Sequence, residues 1–199
     1  QFGGYAHSFR RRGYRFEAGI HSVPMSNDGL IMHLLRLLGV DRMIETVTQD
    51  EMFSVQMPDF HYSMPVLPHD IVGKLKADFP HEKQGLQRLL DDMRHFYDVL
   101  ARPIFSFEDH FVEEDKQFVS RYHNRSYRDY IDGFIDDQRL RNVFYSQWPY
   151  GGTAPDCAPT VFYVMMYIIH FMEGSHYVQG GMCKLVDALV SVIEGNGGA

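Results

Sequence analysis

Residues 159–173 predict a helix that is apolar on nearly every face, with His170 as its main polar residue. Such a helix must be buried in a core or line an apolar cavity, because it has no polar face to turn toward water. It is also too short to cross a bilayer, which takes roughly 20 apolar residues. We therefore expect a globular chain folded around this helix. A packed core is the favoured interpretation for most of its side chains, and a ligand tunnel is the alternative.

The remaining pattern predicts an α+β fold, with several helices and a small antiparallel sheet in a single domain over residues 1–199. Apolar and polar residues alternate from Tyr14 to Ala18 and predict a strand. Residues 45–66 predict two or three more short strands, with turns at Gln49-Asp50 and Pro58-Asp59. The first predicted helix begins at a cap cluster, Ser26-Asn27-Asp28, and ends at Gly39. The second runs from Pro68 to about Phe79, and the third runs from Leu86 until Pro103 stops it. Further helices are predicted after a cap at Ser126, over about 136–146 and over 181–194.

Charge and composition exclude several classes of function. The formal net charge is −7, so no basic excess favours nucleic-acid binding, and the run Arg10-Arg11-Arg12 is interpreted as a solvated turn. The histidines show no metal-ligand spacing, so no metal site is expected. Cys157 and Cys183 form no disulfide framework, which is typical of a reducing compartment. We expect a cytoplasmic protein, and peripheral contact with a membrane stays open.

Glycine pairs lie near both ends of the chain. "QFGGYAHSFRRRGYRFEAGIH" combines the first pair with a basic link and a strand that ends in Gly19-Ile20-His21, and "HYVQGGMCKLVDALVSVIEGNGG" contains the second pair. Between them lie "DEMFSVQMPDFHYSMPVLPHDIVGKLKADFPHEKQGLQRLLDDM" and "WPYGGTAPDCAPTVFYVMMYIIHFMEG". In this order the four segments resemble the flavoprotein family of phytoene desaturases, carotenoid isomerases and retinol saturases. The Gly19-Ile20-His21 ending is most similar to the retinol saturase branch.

The resemblance implies the substrate-binding domain of a flavin oxidoreductase. The family motif Gly-x-Gly-x-x-Gly, which seats the dinucleotide on a helix N-terminus, does not occur in these 199 residues. We therefore expect a substrate-side fragment with short stubs of the FAD-binding domain at about 1–25 and 176–199. Such a fragment alone is not expected to hold FAD tightly, and it is expected to self-associate through exposed apolar surfaces near Phe2, Phe9, Phe16 and Ile20.

The resemblance also implies roles for individual residues. His21 is the catalytic candidate, because an imidazole titrates near neutral pH and can move a proton, although a structural role is the alternative. The predicted contacts of FAD in the full-length protein are Gly3, Gly4, Gly19, Ile20, His21, Gly180 and Gly181. The predicted contacts of the substrate are Trp148, Met166, Tyr167, His170 and Tyr177.

The predicted function is the substrate-binding part of an FAD-dependent desaturase, saturase or isomerase that acts on a polyene, an isoprenoid or a similar apolar substrate. Hydride transfer in this family relies on the flavin, while the protein supplies position and a dry site. A non-catalytic module that binds an apolar ligand or a partner protein is the alternative.

Overall fold

The computed structural model describes residues 2–106 and 112–198. Contacts along the backbone divide the chain into two compact units. We call Gln1–Asp50 together with Glu173–Ala199 the terminal unit, and Glu51–Met172 the middle unit. The terminal unit thus contains both segments predicted as stubs of an FAD-binding domain, and residues 26–50 as well. The origin of those segments stays a prediction.

The described residues are mainly helical, with short strands and three short 3-10 helices. Within those residues, no helix is both long enough and apolar enough to cross a bilayer. In chain order the elements are β1 (Ser8–Arg11), β2 (Tyr14–Glu17), α1 (Leu30–Leu37), β3 (Thr46–Thr48), β4 (Phe53–Met57), β5 (Phe60–Met64), α2 (Pro68–Asp78), α3 (Lys83–Ser106), α4 (Glu113–Ser120), α5 (Tyr127–Asp132), α6 (Gln138–Tyr145), α7 (Trp148–Gly151), α8 (Thr160–Glu173), β6 (His176–Val178) and α9 (Cys183–Gly195).

The strands form three separate two-stranded antiparallel ladders, whereas the sequence predicted one small sheet. β1 pairs with β2, and β4 pairs with β5, in hairpins closed by two-residue turns. β3 pairs instead with β6, so this ladder joins two parts of the chain that are far apart in sequence. The predicted strands are confirmed, but alternation within a strand does not specify its partner. The α+β class stays a prediction.

Two predicted helix ends are wrong. α1 starts one residue after Gly29, and none of the side chains in the cluster Ser26-Asn27-Asp28 caps it. The carboxylate of Glu173 takes that role, since its Oε1 accepts a hydrogen bond from the amide of Leu30 at 2.9 Å. α3 continues past Pro103 to Ser106. A proline inside a helix keeps a helical φ, but it removes one backbone hydrogen bond and crowds the carbonyl one turn earlier, so it disfavours a helix without forbidding it.

The structure of three further segments differs from what the sequence predicted. Residues 105–125, for which no structure was predicted, contain α4, and 107–111 of that stretch lie outside the described residues. The predicted loop 150–159 begins inside the one-turn helix α7. The last helix begins at Cys183 rather than at Gly181.

Each unit has its own apolar core. The core of the middle unit confirms the predicted burial of α8, which contributes Tyr163, Val164, Tyr167, Ile168 and Phe171. These side chains pack with residues of β4, β5, α2, α3, α5 and α6. The core of the terminal unit is smaller and consists of Val23, Met25, Met32, Leu35, Val40, Val178, Met182 and Ala188.

Candidate functional site

Both glycine pairs adopt backbone conformations that favour glycine. The φ angles are 106° at Gly3, 51° at Gly4, 84° at Gly180 and 99° at Gly181. A side chain at such angles would be strained against its own backbone, so glycine is the residue that adopts these conformations at low cost. All four lie in the terminal unit.

Only half of these glycines leave open space beside the backbone. A Cβ atom on Gly3 would lie 2.9 Å from Val186 of α9, and one on Gly181 would lie 2.7 Å from Oε1 of Glu17. No atom lies within 4 Å of the Cβ position of Gly4, and that of Gly180 meets only the flexible Lys184 chain, at 3.3 Å. Gly3 and Gly181 therefore serve close packing inside the unit. Gly4 and Gly180 are exposed, and a ligand phosphate or ribose could approach their backbone.

Strand β2 is hydrogen-bonded to the turn that precedes α9. The guanidinium of Arg15 donates a hydrogen bond to the carbonyl of Gly180. Burial, with a hydrogen bond to Glu17 as the next cause, raises the pKa of Tyr177 to about 12. Arg15 and Glu17 were not among the predicted site residues. Their signal in the sequence is that they occupy the polar positions of the strand that contains Tyr14 and Phe16.

The segment from Gly19 to His21 follows this strand. The Cβ position of Gly19 lies 3.5 Å from the carbonyl oxygen of Tyr5, so the first glycine pair and Gly19 are neighbours. Ile20 packs against the core of the terminal unit. The side chain of His21 is exposed, and its carbonyl oxygen accepts a hydrogen bond from Nε2 of Gln49 at 3.2 Å.

The predicted substrate residues do not form one group. Tyr177 belongs to the terminal unit, while Trp148, Met166, Tyr167 and His170 belong to the middle unit. Tyr167 is 3% exposed, and its hydroxyl donates to the backbone carbonyls of Val143 and Phe144. Its polar atom is thus engaged inside the core.

The other predicted substrate residues of the middle unit are more accessible. His170 is half-buried, and its Nδ1 lies 3.1 Å from the carbonyl oxygen of Met166, one turn earlier in α8. Met166 is also half-buried and packs against the core of the middle unit. Trp148 is exposed, and its carbonyl accepts the hydroxyl of Tyr163 at 3.0 Å.

A different face of α8 borders a cleft of about 510 Å³ within the middle unit. Binding sites for small molecules commonly have roughly this volume. Sequence reasoning missed the cleft, because its walls come from three helices whose packing the sequence does not reveal. Its lining is mostly apolar, with a polar edge on α2 and α3, and consists of Pro68, His69, Ile71, Val72, Gln87, Leu90, Asp91, Arg94, Ile168, Phe171 and Met172.

Within the residues that the structure describes, no group of three or more His, Cys, Asp or Glu side chains could hold a metal ion. The groups that could serve a ligand in the two units include backbone amides near Gly4 and Gly180, the imidazole of His21 and the mostly apolar cleft.

The chain matches one known family along almost its whole length. Residues 1–198 match the family described as flavin containing amine oxidoreductase. A 4,4'-diapophytoene desaturase (4,4'-diaponeurosporene-forming) from Staphylococcus haemolyticus (strain JCSC1435) is 24% identical over 136 residues. That alignment covers 62% of this chain and 26% of the desaturase, so the chain spans about a quarter of that relative's length.

These matches confirm the resemblance at the level of flavin oxidoreductases, while the branch to which the protein belongs stays a prediction. Because the family match extends over residues 1–198, this chain belongs to the flavin-containing amine oxidoreductase family.

Proposed function

We propose that this chain is the substrate-binding part of an FAD-dependent oxidoreductase that desaturates, saturates or isomerises a polyene or a similar isoprenoid. The observation that carries the proposal is the family match over residues 1–198, combined with the desaturase relative. The chain covers only a quarter of that relative, so the activity belongs to a protein that also supplies the dinucleotide-binding motif.

The terminal unit is the proposed contact with FAD. The exposed backbone at Gly4 and Gly180 has room for a ligand, and Gly19 lies beside Tyr5 next to the first glycine pair. A bound FAD would supply the hydride transfer at a carbon–carbon bond of the substrate. His21 is the proposed proton-moving or hydrogen-bonding side chain, because it follows this segment directly and is exposed.

The middle unit is the proposed substrate side. Ile71, Val72, Leu90, Ile168 and Phe171 provide an apolar wall to the cleft, which suits a hydrocarbon chain and excludes water from it. Methionine at position 172 adds a flexible, polarisable contact. This proposal moves the substrate from the predicted residues Met166 and Tyr167 to the side of α8 that carries Ile168, Phe171 and Met172.

The substrate proposal is tested by filling the cleft. Val72→Trp should abolish the retention of 4,4'-diapophytoene, which is measured after the protein and the polyene pass together through gel filtration. Met166→Trp is the matched control, because Met166 is also half-buried but does not line the cleft. Equal retention by both variants would contradict this cleft. Loss only in Met166→Trp would restore the sequence-based prediction of a tunnel at that residue.

The flavin proposal is tested separately. The chain alone should be colourless after dialysis, and the complete protein encoded by its gene should show flavin absorbance near about 450 nm. Gly4→Val in the complete protein should reduce flavin content, whereas Gly39→Val, at an equally left-handed and open glycine, should not. A stoichiometric flavin spectrum in the isolated chain would show that the cofactor site is misplaced.

A further inference from the structure

One face of α3 contributes much of the polar edge of the cleft in the middle unit. The residues of α3 that line the cleft are spaced three or four apart and therefore share a helix face: Gln87, Leu90, Asp91 and Arg94. This row extends about 10 Å along the helix axis, with Arg94 at its C-terminal end. There the Nη2 atom of Arg94 donates to the sulfur of Met172 at 3.5 Å. The cleft thus has one end that is marked by a guanidinium group.

The other polar side chains of this edge have oxygen or nitrogen partners. The Nε2 atom of His69 lies 3.1 Å from a carboxylate oxygen of Asp70. Gln87 accepts a hydrogen bond from the ammonium group of Lys76 and donates one to the carboxylate of Asp91 at 2.7 Å. The last three side chains therefore form one network, in which the carboxylate of Asp91 is already engaged.

Arg94 differs from these groups in the kind of partner that it has. Its contact with Met172 uses a thioether sulfur, which is a weak acceptor, whereas a guanidinium carries five N–H donors. In the described part of the chain, no carboxylate lies within ion-pair distance of Arg94. Most donors of this guanidinium are therefore available to an oxygen acceptor that enters the cleft.

We propose that the cleft takes a ligand whose apolar body ends in a carboxylate, and that Arg94 binds this end group. A planar guanidinium and a carboxylate pair through two parallel hydrogen bonds, while the apolar side chains of the cleft cover the body of the ligand. A pure hydrocarbon would instead cover part of the guanidinium without offering it an acceptor, which is unfavourable. The inference rests on the proposed function and narrows its substrate to an isoprenoid acid.

The test is equilibrium dialysis of the chain with two probes, retinoic acid and methyl retinoate. The two probes share one polyene body, but only the acid is charged at neutral pH. The chain should bind the acid about tenfold more tightly than the ester, because hydrogen bonds between charged partners are the stronger ones. Arg94→Gln should weaken binding of the acid about tenfold and leave binding of the ester within about twofold of its value in the unmodified chain.

Arg88→Gln is the matched control. Arg88 is an exposed arginine of the same helix and, within the described residues, also lacks a carboxylate at ion-pair distance, but it does not line the cleft. Its substitution removes the same charge and should leave the preference for the acid intact. Arg94→Lys should keep part of the preference, because an ammonium retains the charge but not the planar pair of donors. Val72→Trp, which fills the cleft, should abolish binding of both probes.

Four results would overturn the inference. Equal binding of acid and ester by the unmodified chain would show that the end group is not recognised. A preference that survives Arg94→Gln would assign the recognition to another residue, and an equal loss in Arg94→Gln and Arg88→Gln would assign it to the general charge of the surface. These three results leave the cleft as the substrate side, provided that Val72→Trp still abolishes binding of both probes. Binding of neither probe to the unmodified chain would overturn the proposed substrate cleft together with the carboxylate.

Discussion

The two units differ in how many of their aromatic side chains are buried. In the middle unit, the largest of them, among them Tyr127, Tyr130, Tyr163, Phe96 and Phe144, are almost completely buried. In the terminal unit the core is built from Val, Met, Leu and Ala, and the aromatic side chains near the N-terminus are exposed. Aromatic burial contributes strongly to stability, whereas exposed aromatic clusters indicate a binding surface. The aromatic residues of the middle unit thus contribute mainly to its core, whereas those near the N-terminus contribute little to the core of the terminal unit.

Buried hydroxyls add specificity to the core of the middle unit. The hydroxyls of Tyr122 and Tyr130 both donate to the carboxylate of Asp92, at 3.0 and 2.9 Å, and so join α3 to the chain around α5. The hydroxyl of Tyr163 donates to the carbonyls of Trp148 and Thr153. A buried hydroxyl without a partner would destabilise the fold, so these bonds restrict how the helices can pack.

The largest difference in stability between the two units should appear at alkaline pH. Burial raises the pKa of Tyr127, Tyr130 and Tyr167 well above the value near about 10 of an unfolded chain. A raised pKa in the folded state means that stability is fully present below about pH 10 and is lost as the pH rises toward the folded value. In that pH range, each such tyrosine lowers the free energy of unfolding by about 1 kcal/mol for each pH unit. The free energy of unfolding of the middle unit should therefore fall by several kcal/mol between about pH 10 and pH 12.

Two probes can follow the units separately. Trp148, the only tryptophan of the sequence, reports on the middle unit by fluorescence. Thiol labelling of Cys183 in a Cys157→Ser background reports on the terminal unit. Between pH 10 and 12 the urea midpoint from Trp148 should fall further than the midpoint from Cys183. If the two midpoints coincide throughout this range, the buried tyrosines do not make the middle unit less stable than the terminal unit at high pH.

Phe96→Ala should destabilise the middle unit by about 3–5 kcal/mol, because a fully buried ring leaves a cavity. Its ring centroid lies 4.6 Å from that of Phe118 and 5.0 Å from that of Tyr122. The substitution therefore removes one ring and deprives Phe118 and Tyr122 of an aromatic neighbour. Phe162→Ala, at an exposed position of α8, should change stability by less than about 0.5 kcal/mol. Urea unfolding followed by Trp148 measures both. Similar losses in the two variants would contradict a packed aromatic core.

Gly29→Ala should destabilise the terminal unit by about 1–3 kcal/mol. The new methyl carbon would lie 2.2 Å from Oε2 of Glu173, whose other oxygen accepts the amide of Leu30. Gly39→Ala is the comparison, since Gly39 has a φ of 72° and open space, and the substitution costs about 1 kcal/mol through conformation alone. Cys183 labelling in urea measures both. A larger effect at Gly39 would mean that the Glu173 carboxylate moves aside without cost.

Local patterns in the sequence predicted much of the secondary structure. Alternation identified β2, the predicted turn at Pro58-Asp59 separated the strands of the β4–β5 hairpin, and the continuous apolar run identified α8 and its burial. These elements depend on neighbours within a few residues, which a sequence pattern records directly. The cap of α1 could not be found in this way, because Glu173 is 143 residues from Leu30.

The candidate site was predictable only in part, for the same reason. The glycine pairs were visible as unusual residues, but their division into packed and open positions depends on Val186 and Glu17, which tertiary structure brings near. Tyr167 was predicted as a substrate contact because it lies in an apolar helix, and only the structure shows its hydroxyl bonded to carbonyls of another helix. Which face of α8 borders a cleft depends on the packing of α2 and α3.

The smallest effect is expected in the turn of the hairpin. Arg12 has a φ of 52°, and in the described part of the chain it is the one non-glycine residue with a positive φ. Together with Gly13, at 84°, it forms a two-residue turn of the kind for which Asn-Gly is strongly preferred. Arg12→Asn should therefore stabilise the hairpin by about 0.5–1 kcal/mol, seen as slower hydrogen exchange of the β1 and β2 amides.

Arg11→Asn is the control for that variant, because it removes the same charge from a strand position where asparagine is unfavourable. It should leave exchange unchanged or make it faster. If Arg12→Asn also speeds exchange, Arg12 stabilises the turn by a contact that outweighs its backbone strain. If it slows exchange as expected, the chain retains an arginine where asparagine folds better.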